Sequence, residues 1–225
     1  DMTVDTGAGQ VKLSTVTWTC GDTLTDTRDA KTYTTVLIGS QCWMAENINV
    51  GTLTAGANSQ GTDCPSASEI EKYCYSDTES NCTTYGGLYQ WNQTMCGSTT
   101  AGATGICPTG WHIPTHDEYT TLELAACTSE SCATDFPYDI TTTGYRGTNE
   151  GTTLKTVSAS TFSGLLAGFR YPYGVFGASG SYGYFWSSLQ SGSYAWERDL
   201  GSGSAQVHRD INDKALGFSV RCIKD

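Results

Sequence analysis

Positive charge is scarce in this chain. Its 12 Lys and Arg stand against 23 Asp and Glu, a formal net charge of −11 at pH 7. Binding to a phosphate backbone needs a basic face, so the balance argues against nucleic acid as a partner. Long apolar runs are missing too, which leaves no segment able to span a bilayer and no signal peptide within these residues. The first residue is Asp1 rather than Met, so a mature or trimmed chain is expected, with any export signal or lipid anchor upstream. No Cys-x-x-Cys occurs, which argues against structural zinc. Gly-x-Ser-x-Gly, a Walker loop and His-Glu-x-x-His are also lacking, so no enzyme and no cofactor are expected.

What is present is glycine and cysteine. A hydrophobic fraction of 38% with 26 Gly points to short strands and long loops. Ten Cys, an even number, beside only three Met, imply an oxidised, exported protein at the cell surface or beyond it, held together by disulfides. Charge is uneven as well: residues 1–169 hold six basic and eighteen acidic groups, whereas residues 170–225 hold six and five. That nearly neutral C-terminal stretch carries ten aromatics among Gly and Ser, the composition of a binding face. Phe185, Trp186, Trp196 and Phe218 sit in apolar-rich runs and read as core. Tyr171, Tyr173 and Phe176, interleaved with Pro and Gly, read as surface.

Along the chain, residues 1–19 are Thr-rich with Val11, Leu13 and Val16 alternating, which suggests a strand or entry segment. TYTTVLIG and the run around Cys42, Trp43 and Met44 form two strands joined by a turn, and Cys20 and Cys42 are placed to close that hairpin. A polar loop excursion follows from Gly51 to Cys82. Leu88, Trp91 and Met95 share one face of a short helix. Thr115 and Glu118 make a capping box, so a second helix should start near His116, with Tyr119, Leu122 and Ala126 on its buried face. Pro114 separates His112 from His116, which makes a shared helical metal face improbable; packing is expected for His112 and exposure for His116. FPYDITTTGYRG gives a strand and a turn. GYFWSS, YAWERDL, SAQVHRD and GFSVRCI read as four short strands.

QCWMAENI, YGGLYQW, ICPTGWHIPTHDEY, GYFWSS, AWERDL and GFSVRCIKD occur in an order that resembles the Fibrobacter succinogenes major paralogous domain family, over roughly residues 20–225 as one domain. The resemblance implies an α+β fold of the C-type lectin-like kind: two short helices, small antiparallel sheets, long disulfide-tied loops and chain ends brought together. It also implies that Cys107 pairs with Cys222. Local proximity then gives Cys20–Cys42, Cys74–Cys82 and Cys127–Cys132, which leaves Cys64–Cys96. Sugar-binding C-type lectins hold calcium through Glu-Pro-Asn or Gln-Pro-Asp and Trp-Asn-Asp words; this chain has Trp186-Ser187-Ser188 instead, which disfavours calcium-dependent sugar binding.

Proteins of this type also serve as the variable proteins of diversity-generating retroelements, whose C-terminal segment is rewritten at template adenines. Residues 168–222 are similar to such a variable region. The ligand-binding positions implied are Tyr171, Tyr173, Val175, Phe176, Ala178, Ser179, Asp199, Ser202, Asp210, Ile211, Asn212 and Asp213, all expected to be exposed. Each can arise by adenine-directed rewriting of an AAC or AAT codon, which never yields Trp, Lys, Met, Glu or Gln. The expected partner is a protein or glycan on another cell, phage or host surface. A fixed glycan-binding or adhesive module is the alternative, and an enzyme of the related formylglycine-generating type, which needs reactive cysteines, ranks below it.

Overall fold

The computed structural model describes residues 3–5, 10–12, 18–64, 66–158 and 161–225. Near the start, β1 (Thr3–Asp5) and β2 (Gln10–Lys12) pair antiparallel, as do β3 (Leu24–Thr25) and β4 (Thr32–Tyr33). Leu13 and Val16 of the expected entry strand lie outside the described residues. The β-branched run forms β5 (Thr35–Ile38), which turns at Gly39 (φ 60°) into β6 (Gln41–Met44), the expected hairpin. Gly51–Cys82 is mostly loop, with β7 (Thr52–Leu53) and β8 (Glu71–Lys72) paired in parallel, a 3₁₀ turn at Tyr75–Asp77 and the start of α1 (Glu79–Tyr85).

The helix expected across Leu88 to Met95 is shorter. Leu88 bridges to Tyr73 as extended chain, and only α2 (Trp91–Thr94) is helical. After β9 (Trp111–His112), α3 (His116–Ala126) begins where the capping box puts it: the Thr115 hydroxyl accepts from Glu118 N–H at 3.1 Å, and Thr115 N–H donates to the Glu118 carboxylate at 2.7 Å. Two further short helices, α4 (Cys132–Asp135) and α5 (Glu150–Lys155), flank β10 (Gly144–Arg146). The two-helix expectation is therefore too low, since α1, α4 and α5 are each under two turns and carry little periodicity to read.

The C-terminal quarter contains β11 (Phe169–Arg170), β12 (Phe176–Gly177), β13 (Tyr182–Ser191), β14 (Tyr194–Gly201), β15 (Val207–Asp213) and β16 (Ile223–Lys224). One sheet has the order β10-β15-β14-β13 and the other β5-β6-β16-β9, both antiparallel. The fourth expected strand, GFSVRCI, is not a strand along its length. Residues 217–222 thread between the sheets, and their backbone bonds go to several partners: Phe218 N–H to Tyr89, Trp186 N–H to Ser219, Ile48 N–H to Val220 and Met44 N–H to Cys222. A buried backbone must find a partner for every polar group, and with Gly217 bonded to Arg170 those partners lie on four segments, around residues 44–48, 89, 170 and 184–186.

Trp91, Trp111, Trp186 and Phe218 centre the larger core; Trp43, Tyr119, Leu122, Phe162 and Phe185 centre a second one beneath α3. Five disulfides join Cys20 to Cys42, Cys64 to Cys96, Cys74 to Cys82, Cys107 to Cys222 and Cys127 to Cys132, the pairs expected, and no cysteine is free. Such crosslinking belongs to an oxidising compartment outside the cytoplasm. Among the described residues no helix is long and apolar enough to cross a membrane.

Candidate ligand-binding site

In antiparallel sheets, residues directly opposite one another share a face and successive residues alternate between faces. The long C-terminal sheet therefore sorts its side chains into rows. Tyr184 is opposite Asp199, Asp199 opposite His208, and His208 opposite Tyr145. The neighbouring row on the same face runs Trp186, Glu197, Asp210. On the other face Phe185, Arg198 and Arg209 form a row that points at α3.

The inner row is closed. Arg198 donates through Nε to one carboxylate oxygen of Glu123, and Arg209 donates to the other through Nη2 and, at 3.1 Å, through Nε. His116 lies against this cluster, with Arg198 nitrogens 3.4 Å from both ring nitrogens and the Trp196 ring 4.7 Å away. The surface position expected for His116 is thus corrected: it is buried at 1% exposure, because the first turn of α3 packs its inner side onto the sheet. Burial, then Arg198 and Arg209, pull its pKa down to about 3, so it is neutral. His112 is instead half-buried, bridging Glu118 at 2.8 Å and Asp225 at 2.7 Å, and the Glu118 bond is the main reason its pKa rises.

The outer face is an open basin of about 400 Å³. Its aromatic wall is tightly packed: Phe169 meets Tyr171 at 4.4 Å and Tyr184 at 5.1 Å, and Tyr184 stacks on Phe218 at 4.8 Å. Tyr182 continues this wall by stacking on Tyr184 at 5.9 Å, and Tyr145, on β10, packs against His208 at 4.5 Å. Between them the floor is polar. His208 Nδ1 and Asp199 Oδ2 are 2.7 Å apart, a bond that raises the histidine's pKa. Asp210 and Asn212 continue the strand, and the Asn212 amide reaches Glu197 Oε1 at 3.4 Å. Glu197 is fully buried and its Oε2 has no hydrogen-bond partner. Burial first, then the charges of Asp199 and Asp210, push its pKa well up. One oxygen or nitrogen from each of Glu197, Asp199 and His208 lies within 4.8 Å of the others.

A second depression, of about 480 Å³, opens beside Lys31, Asn47 and Asn49. Its amides already serve the fold: Asn47 donates to the Tyr85 carbonyl and Asn49 to that of Cys82. The basin on the C-terminal sheet is the better candidate, since it combines aromatic surface with a cluster of polar side chains, Asp199, His208, Asp210 and Asn212, on one open face.

Of the twelve positions implied by resemblance, Tyr171, Asp199, Asp210 and Asn212 line this basin. Tyr173 extends its rim by stacking on Tyr171 at 5.0 Å and is 71% exposed; Val175 is exposed beside it. Phe176, Ala178 and Ser179 are half-buried, Phe176 against Tyr75 at 5.5 Å. Ser202 and Asp213 are exposed at strand ends, whereas Ile211 pairs with Trp196 on the inner side of the sheet. Full exposure of all twelve is corrected: only Tyr173, Val175, Ser202 and Asp213 are exposed, Tyr171, Phe176, Ala178, Ser179, Asp210, Ile211 and Asn212 are half-buried against neighbouring strands and rings, and Asp199 is 6% exposed because His208 and Tyr184 flank it across the strands. Tyr145, Phe169, Tyr182, Tyr184, His208, Leu216 and Phe218 also line the basin and are not among the expected site residues, and Glu197 lies buried next to it. Alternation in Tyr182-Gly-Tyr184, Glu197-Arg-Asp199 and His208-Arg-Asp210-Ile-Asn212 is the signal that finds Tyr182, Tyr184, Glu197 and His208.

No curated protein and no solved structure matches this chain. The family model described as Fibrobacter succinogenes major domain matches residues 36–224, from the first core strand through the last. With that match covering most of its length, the chain belongs to the Fibrobacter succinogenes major domain family.

Proposed function

We propose that this chain is an exported, surface-displayed binding protein, a C-type-lectin-like scaffold whose outer sheet face is the variable recognition surface of a diversity-generating retroelement. The carrying observation is the convergence of Tyr171, Asp199, Asp210 and Asn212, from three separated stretches, on one basin. Aromatic rims supply stacking area at low entropic cost, while carboxylates and an amide accept from ligand hydroxyl or N–H groups. A glycan or a polar protein loop on another cell, phage or host surface meets that description. Disulfide pairing of all ten cysteines favours binding over formylglycine-type chemistry, which needs reactive thiols.

A fixed adhesive module is the second reading, favoured by Tyr182, Tyr184 and Phe218, basin residues that are not among the twelve rewritable positions. Sequencing the gene from many cells of one population separates the two. Substitutions confined to the codons of the twelve positions are expected. Changes spread evenly along residues 1–225, or none at all, would overturn diversification and leave the fixed module.

A further inference from the structure

Two buried carboxylates, Glu123 on α3 and Glu197 on β14, suggest a metal when compared. Glu123 and Glu197 are both buried at 1% exposure or less, but Glu123 has an arginine on each oxygen while Glu197 Oε2 has no partner. Buried carboxylates are normally paired or coordinated, because desolvation costs several kcal/mol otherwise. The groups facing Glu197 across the strands add further negative charge: Asp210 is directly opposite, and Asp199 is two residues on. The nearest arginine on its own strand, Arg198, points through the sheet and is taken by Glu123. Arg146, near His208, donates to the Thr142 hydroxyl.

We propose that Glu197, Asp199 and His208 bind a divalent transition cation of the Zn²⁺ class on the floor of the basin. Bonds of about 2.0–2.2 Å keep any two ligand atoms within about 4.4 Å of each other. The cluster's 4.8 Å span therefore closes with side-chain movements of a few tenths of an ångström. An imidazole among carboxylates selects a borderline cation over Ca²⁺ or Mg²⁺, which take oxygen ligands. Binding exchanges two protons for the cation, the one shared by His208 and Asp199 and the one held by the buried Glu197 carboxyl. The site goes beyond the recognition role, and because Asp199 is one of the twelve rewritable positions the ligand set belongs to this sequence and would lose a member wherever that codon is changed.

The test is calorimetric titration of the folded, disulfide-bonded protein with ZnCl₂, with Co²⁺ absorption as a second readout. One equivalent should bind. Glu197→Gln and His208→Ala should weaken binding by more than the roughly 10–100-fold typical of losing a group that only supports a ligand. Asp117→Asn, on the exposed start of α3, should leave it unchanged. Because a variant can misfold, the ring signals of His208 in the wild-type NMR spectrum provide an independent check and should shift on Zn²⁺ addition. Absence of Zn²⁺ and Co²⁺ binding, unaltered affinity in Glu197→Gln, tighter binding of Ca²⁺ than Zn²⁺, or a site abolished by His112→Ala but not by His208→Ala would each overturn the proposal.

Discussion

The two faces of the sheet β10-β15-β14-β13 both bury charge, but only one completes it. On the inner face Glu123, Arg198 and Arg209 saturate one another, and neutral His116 fills the gap beside Trp196. On the outer face Glu197, Asp199 and Asp210 lie together, His208 bonds only Asp199, and a Glu197 carboxyl oxygen is left unpartnered. Satisfied networks fix a structure, whereas a partly satisfied one is a site waiting for its ligand or a cost to stability. The strands are common to both faces, so the difference lies in what packs on them: α3 seals one side, and the other opens into a basin ringed mainly by aromatics.

The largest expected effect comes from opening the closed face. Glu123→Ala leaves two buried guanidiniums without their anion and should cost at least about 3–5 kcal/mol in denaturant unfolding. Replacing Glu123, Arg198 and Arg209 together with apolar residues should cost far less, since no orphan charge remains. A Glu123→Ala protein as stable as wild type would break the contrast between the faces.

Next come opposite pH slopes. Because His116 has a folded pKa near 3 against 6.5 when free, the unfolded chain binds its proton first as pH falls. Its contribution is complete above about pH 6.5 and is lost progressively down to about pH 3, on the order of a few kcal/mol. Glu197 runs the other way. Its raised pKa means the folded state keeps a proton that the unfolded chain releases above pH 4.5, so stability declines as pH rises beyond that value. Thermal melts of His116→Gln should show a flattened acid limb, and melts of Glu197→Gln a flattened alkaline one. An unchanged acid limb in His116→Gln would mean that the histidine is charged in the fold.

Much of this architecture is local and therefore readable. The hairpin at Gly39, the capping box at Thr115 and Glu118, and three of the disulfides join residues near in sequence. The inner network is not local: Arg198 and Arg209 lie 75 and 86 residues from Glu123, and no periodicity links them. His116 was misread for the same reason, since a polar residue in the first turn of a helix is exposed unless a distant partner covers it. GFSVRC looked like a strand because it is apolar and β-branched, yet its bonding partners lie on four segments. The basin was half legible. The resemblance points to Tyr171, Asp199, Asp210 and Asn212 but not to Tyr184 and His208, which alternate onto the same face.

Glu197→Gln sharpens the comparison at smaller amplitude. The amide preserves shape, removes the titrating group and offers N–H donors to Asp199 and Asp210. Stability at neutral pH should therefore be equal to wild type or raised by about 1 kcal/mol, the net worth of a typical hydrogen bond. A loss above roughly 2 kcal/mol would show that Glu197 is ionised and already paired in the fold, which would make the outer face as closed as the inner one.

The smallest expected effect belongs to the rim. Tyr173 is 71% exposed and its ring contact is one stacked neighbour, Tyr171, at 5.0 Å. Stacked aromatic pairs contribute about 0.5–1.5 kcal/mol when packed, and less where water already reaches both rings. Tyr173→Ser should therefore move stability by no more than about 0.5 kcal/mol, the usual range for a surface substitution. The same change at Tyr184, half-buried between Phe169 and Phe218, should cost several times as much. The pair of measurements separates two kinds of aromatic in one basin: a rim that can be rewritten without penalty and a wall that cannot. If Tyr173→Ser destabilises as strongly as Tyr184→Ser, the rim is part of the core, and a surface that must hold the fold together is poorly suited to variation.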